Sequence, residues 1–187
     1  MSPKVVFAFL VFAAALLLPA GAASAAAFVL GGGMANACSQ AAIAGRDDRA
    51  SIEVCTQALE SQPLLRRDRA GTLVNRGVIQ LRRKAYAEAG RDFDAALALE
   101  PGLGEAFVNR GAAFIAQRRY REGVDQIDRG LALGPDEPEK ADFNRALAWE
   151  GLDDMKAAWL DYQKALELRP DWDAPRQELT RFTVARP

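Results

Sequence analysis

The chain has 187 residues, half of them hydrophobic, with 24 basic and 25 acidic side chains and a formal charge of -1. That is enough chain for one ordinary domain core, and too polar a chain to cross a membrane many times. The balanced charge leaves no basic excess for nucleic acid, and the absence of histidine removes the commonest general base and metal ligand.

The first element is a leader. Lys4 precedes an unbroken apolar stretch from Val5 to Leu18, then Pro19 and small residues ending in Ala23-Ser24-Ala25. This layout predicts a secretory signal peptide over residues 1–25, cleaved after Ala25, and a mature chain that is periplasmic or secreted. The apolar run is shorter than the roughly 20 residues of a bilayer span. No charge lies between Lys4 and Arg46, however, so an uncleaved anchor facing the periplasm stays open. Membrane contact is expected only through this segment. Cys38 stands too far beyond the apolar run for a lipid-modified cysteine.

Residues 26–63 are read as a linker and a degenerate helical hairpin. Ser51, Cys55, Ala58 and Pro63 carry a spacing that returns downstream as Ala89, Phe93, Ala96 and Pro101. The spacing predicts a second helix over 48–62 and a partner over about 34–45, with Gly45 as its C-terminal stop.

Three clearer copies follow within residues 64–170, at about 70–103, 104–138 and 139–172. Asn75-Arg76-Gly77 returns as Asn109-Arg110-Gly111 and Asn144-Arg145-Ala146, 34 and 35 residues on. Behind each small residue the same offsets give Tyr86, Tyr120 and Met155, then Ala89, Gly123 and Ala158, and then Phe93, Ile127 and Tyr162. Two further columns hold Ala96, Gly130 and Ala165, and Pro101, Pro135 and Pro170. Small residues let antiparallel helices approach, the large ones fill the space beside them, and proline ends the second helix. Gly123 and Gly130 are expected to weaken their helix by about 1 kcal/mol each. Pro63 lies 14 residues before Gly77, against 10 from Pro101 to Gly111, which predicts about one extra turn on the helix carrying Gly77. Leucine pairs at 97 and 99, 131 and 133, and 166 and 168 are expected to form the ridge between copies. Residues 171–187 are read as a capping helix over Asp171–Val184, anchored by Trp172, Leu179 and Phe182, and a tail.

This pattern resembles the tetratricopeptide repeat, with Asn-Arg-Gly in the first helix and Ala-Leu-x-Leu-x-Pro closing the second. The resemblance implies an all-α solenoid of antiparallel hairpins, a superhelix whose first helices line a concave groove that holds a peptide or partner helix. Cys38 and Cys55 would then face each other across the first hairpin, and an exported chain would keep them as a disulfide.

By the same resemblance the groove residues would be Val74, Asn75 and Val78, then Val108, Asn109 and Ala112, then Lys140, Phe143, Asn144 and Leu147. The asparagine amides could bond a ligand main chain or stabilise the array itself. Some family members clamp a C-terminal carboxylate. Asn109 and Lys140 match two places of that clamp, but Val74, Val78 and Asn144 do not match the rest, so an apolar or mixed segment is expected.

Glu53, Asp92, Asp94, Asp125, Asp128 and Asp161 sit at helical spacings among arginines and read as solvated faces, not as a catalytic set. No phosphate loop, nucleophile elbow or metal cluster appears. The expected function is a non-catalytic adaptor of the bacterial envelope with an unidentified protein or peptide partner, no cofactor and no metal. A self-associating envelope scaffold is the alternative, and gel filtration with and without peptide separates the two.

Overall fold

A computed structural model describes residues 23–27 and 33–182. The leader reading over residues 1–22 lies outside the described residues. Nine helices form among those described: α1 Met34–Ile43, α2 Arg49–Ser61, α3 Arg66–Arg82, α4 Tyr86–Leu99, α5 Gly104–Ala116, α6 Tyr120–Ala132, α7 Pro138–Gly151, α8 Met155–Leu168 and α9 Asp173–Leu179. They pair in sequence as four hairpins, each hairpin packs on the next, and α1, α3, α5 and α7 also meet in a row. The array is an all-α solenoid. Its α3 has 17 residues against 13 in α5, the extra turn expected from the proline spacing.

The small-residue columns set the helix separation. A Cβ added at Gly111 would lie 2.9 Å from the Gly123 carbonyl oxygen and 2.7 Å from Ile127, while one at Gly123 would lie 2.6 Å from Ile115. One at Gly130 would lie 2.7 Å from Val108 and 2.9 Å from the Gly104 oxygen. Facing positions therefore rise along α5 as they fall along α6, the mark of an antiparallel pair in near-backbone contact. Gly123 and Gly130 stand in the small-residue columns expected to let paired helices approach, and their missing side chains are what admit α5. In α3 and α4 the same role falls to Gly77, where an added Cβ would lie 2.5 Å from the Phe93 ring.

Each hairpin turns the same way. Gly45, Lys84, Arg118 and Asp153 all have φ between 61° and 72°. The next N–H then donates to the carbonyl five residues back: Arg46 to Ala41, Ala85 to Gln80, Arg119 to Phe114, and Asp154 to Trp149. This left-handed residue after the helix end satisfies carbonyls the helix leaves open.

The helix starts are capped by different means. The Asp48 carboxylate accepts from the Ser51 N–H at 2.8 Å and the Asp154 carboxylate from the Ala157 N–H at 3.0 Å, α7 begins on Pro138, and Gln62 accepts from the Ala35 N–H at 2.9 Å.

Cys38 and Cys55 form a disulfide with their Cα atoms 4.8 Å apart. It occupies the place that the glycine–aromatic contact holds in the next hairpin, so a covalent link replaces packing in the shortest helix pair.

Two expectations need correction. The ridge leucines are not uniformly packed, since Leu133 and Leu168 are exposed. The cap is also shorter than expected, Asp173–Leu179, although Trp172, Leu179 and Phe182 do pack on the cluster of Phe143, Ala146, Ala158, Tyr162 and Ala165.

Candidate peptide groove

The Asn-Arg-Gly triplet divides three tasks among three faces of the first helix. The third residue meets the partner helix. The arginine turns away from the groove and ties hairpins together. Arg76 donates to both oxygens of Asp92 at 2.8 and 2.7 Å and to Thr56 Oγ1 at 3.0 Å. Arg110 reaches Gln126 and Asp94. Arg145 grips Asp161 twice at 2.7 Å and also reaches Asp128 at 2.7 Å and Asp142 at 3.2 Å. Hydrogen bonding to Asp92 and Asp161 raises Arg76 and Arg145 above the usual guanidinium range. Asp92 and Asp161 are buried, which corrects their reading as solvated charges; Glu53, Asp94, Asp125 and Asp128 are exposed.

The asparagine points into the concave side, and each of the three holds one residue of an extended segment, residues 23–27. Asn144 Oδ1 accepts from the Ala23 N–H at 2.9 Å while its Nδ2 donates to the Ala23 carbonyl at 2.7 Å. Asn109 treats Ala25 the same way, at 3.2 and 2.7 Å, and Asn75 treats Ala27 so, at 2.9 Å for both bonds. In extended chain the N–H and C=O of one residue point to the same side, and those of the next residue to the other. A carboxamide offers one acceptor and two donors and so completes the pair. Asparagines one hairpin apart thus engage every second residue, and the segment runs from the third repeat back to the first.

Other contacts complete the seat. Lys140 Nζ donates to the Ser24 carbonyl at 3.2 Å, Ser39 Oγ donates to the Ala27 carbonyl at 3.3 Å, and Asn109 Nδ2 also donates to the Glu105 carbonyl at 2.9 Å. The three asparagines are wholly buried, as is Ala25 at 1% exposure and Ala27 at 4%. Buried amides of this kind are costly unless bonded, and here all three are bonded.

The expected groove set divides. Asn75, Asn109, Asn144 and Lys140 touch the segment. Ala27 shares a buried cluster with Val74, Val78 and Ala112, and Ala23 packs on the cluster that Leu147 borders. Two placements are corrected. Val108 lies against Gly130 of α6, and the Phe143 ring stacks on Tyr162 and Trp172 with centroids 5.5 and 4.9 Å apart. Both fill the space between paired helices, because a residue three positions before the small residue shares its helix face. Sequence reading missed Ser39 and the segment itself. The available signal was only the run of small residues from Ala20 to Ala27, which carries no two-residue period of its own; the alternation appears in the hydrogen bonds to the three asparagines.

No family model and no curated protein matches the chain. Solved structures do. The Arabidopsis OM64 TPR domain aligns with a TM-score of 0.58 at 20% identity, over 63% of this chain and 96% of that one. MamA from Desulfovibrio magneticus aligns with 0.59 at 19% identity, over 79% and 82%. The first TPR of Spaghetti (RPAP3), bound to the HSP90 peptide SRMEEVD, aligns with 0.56 at 23% identity, over 60% and 88%. Repeat register, hairpin geometry and these likenesses agree that the chain has the tetratricopeptide-repeat fold.

Proposed function

We propose that this protein is an exported, non-catalytic adaptor of the bacterial envelope that captures an extended peptide by its main chain in the concave groove. The observation that carries this reading is the row of three buried asparagines, each bonding both main-chain groups of alternate residues in one extended segment. Main-chain bonds supply affinity with little demand on side-chain identity, as in strand addition. The solved RPAP3 domain with a bound HSP90 peptide supports use of this fold for peptides. Export is supported by the leader pattern and by a disulfide that suits an oxidising compartment.

The test is crosslinking capture from the envelope with the full chain and with its Asn109→Ala/Asn144→Ala variant. Capture by the parent and loss in the variant, with an unchanged melting curve, supports the adaptor. Equal capture by both refutes the groove as the working surface. Intact-mass analysis checks export independently: an exported chain beginning at Ala26 supports it, and a membrane-bound chain retaining Lys4 refutes the cleavage.

A further inference from the structure

The seated segment says what the groove selects. We infer that the groove takes extended peptides with small side chains at alternate positions, and that residues 23–27 are its resident occupant for as long as the chain is uncut after Ala25, competing in cis with any such ligand. The inference rests on the peptide-capture reading and adds ligand class, register and competitor to it.

Size selection follows from enclosure. Ala25 and Ala27 lie on asparagines that hold their main chain fixed from both polar groups, while the residues themselves are almost fully covered. Ala27 is walled by the cluster containing Cys38, Val74, Val78 and Ala112. A larger side chain at these positions has to displace close-packed core, or the main chain has to leave its asparagine. Ser24 and Ala26 are only half-buried, as is Ala23 at the end of the segment, so these three accept more variety and the size selection falls on the positions of Ala25 and Ala27.

Competition follows from tethering. A segment on the same chain meets the groove at an effective concentration in the millimolar range for short connections, so a free peptide binds only when residues 23–27 leave. The predicted cleavage pattern Ala23-Ser24-Ala25 is the same stretch that Asn144 and Asn109 hold. Cutting after Ala25 would release two of the three clamped residues, free those two asparagines and leave Ala27 on Asn75.

The test uses the full chain and a fluorescein-labelled, end-capped pentapeptide Ala-Ser-Ala-Ala-Ala, compared with Val-Ser-Val-Ala-Val. Two variants evict the resident segment: Ala25→Lys, by bulk and charge in an enclosed site, and Ala25→Pro, by removing the N–H that Asn109 accepts. Both should keep the parent's helical circular dichroism. The alanine peptide should bind each variant at least tenfold more tightly than it binds the parent, adding Asn109→Ala/Asn144→Ala should abolish that gain, and the valine peptide should bind at least tenfold more weakly. Equal binding to parent and evicted variants overturns cis competition. Equal binding of the two peptides overturns size selection and leaves peptide capture standing. If neither peptide binds the evicted variants while crosslinking capture remains asparagine-dependent, only this inference fails; if that capture is also lost, the groove reading fails with it.

Discussion

Replacing Arg145 by methionine keeps most of the stem volume and removes the charge that joins α7 to α6 and α8. Three carboxylates lose their partner. Asp161 and Asp142 are 8% and 4% exposed, whereas the Asp128 side chain is half exposed. Stranding a buried carboxylate by deleting its partner costs about 3–5 kcal/mol, and an exposed pair contributes under about 1 kcal/mol. The Arg145 side chain is itself one-fifth exposed, which places the expected loss near the lower end, about 3 kcal/mol. Arg110→Met is the control, since Arg110 holds a neutral amide, Gln126, and an exposed carboxylate, Asp94. Its loss should be about 1 kcal/mol. Urea unfolding followed by circular dichroism would show the difference, and hydrogen exchange would locate the Arg145→Met loss in α7 and α8. A solenoid transmits damage mainly to neighbouring hairpins. Equal losses in the two variants would refute the claim that buried carboxylates, not the shared guanidinium position, set the strength of these ties.

Three more outcomes follow. Burial pushes the Asp142 carboxyl up to about 6 from 3.8, against the pull of Arg145, so the native state binds more protons than the unfolded chain between those values. This group therefore lowers stability as pH rises from about 4 to 6, and Asp142→Asn should flatten that part of a melting-temperature profile; an unchanged slope would refute the assignment. Reducing the disulfide across 17 residues should cost about 3 kcal/mol in the chain-entropy model and loosen α1 and α2 first, which uniform hydrogen exchange after reduction would contradict. Gly130→Ala should destabilise by forcing α5 away, while Gly90→Ala, where an added Cβ meets open space, should stabilise by up to about 1 kcal/mol; thermal melts giving the same sign for both would overturn the close-approach argument.

Much of the fold was readable from periodicity, because each hairpin repeats the same local requirements. Small residues at Gly77, Gly111 and Ala146, large ones at Phe93, Ile127 and Tyr162, and the prolines after them place three helix pairs without any tertiary information, and the spacing of Ser51, Cys55, Ala58 and Pro63 places a fourth. What periodicity could not show was depth. Asp92 and Asp161 share their helical spacings with exposed acids such as Asp94 and Asp128, and only the arginine arriving from the paired helix, 16 residues earlier in chain, draws them inward. Val108 and Phe143 were misplaced for a related reason. They stand on the edge between the groove face and the paired-helix face, and the width of their neighbours decides between the two: Gly130 leaves a hollow that Val108 fills, and Tyr162 and Trp172 offer Phe143 a ring stack.

The asparagines show where a repeat alone is insufficient. Each one, read in its helix, is an amide of modest helix propensity with several uses. Their shared role emerges only when the solenoid sets Asn75, Asn109 and Asn144 on one concave side, where alternate residues of a single extended segment reach all three. The leader pattern and the repeat pattern, separate signals in the sequence, converge there on residues 23–25. A small-x-small stretch suits a peptidase because small side chains fit its site, and the same smallness lets Ala23 and Ala25 lie against α7 and α5 with their main chain exposed to the amides. Under the proposed export, one local property would thus serve two readers, and the order in which they act would decide whether the groove is filled by its own chain or open to another.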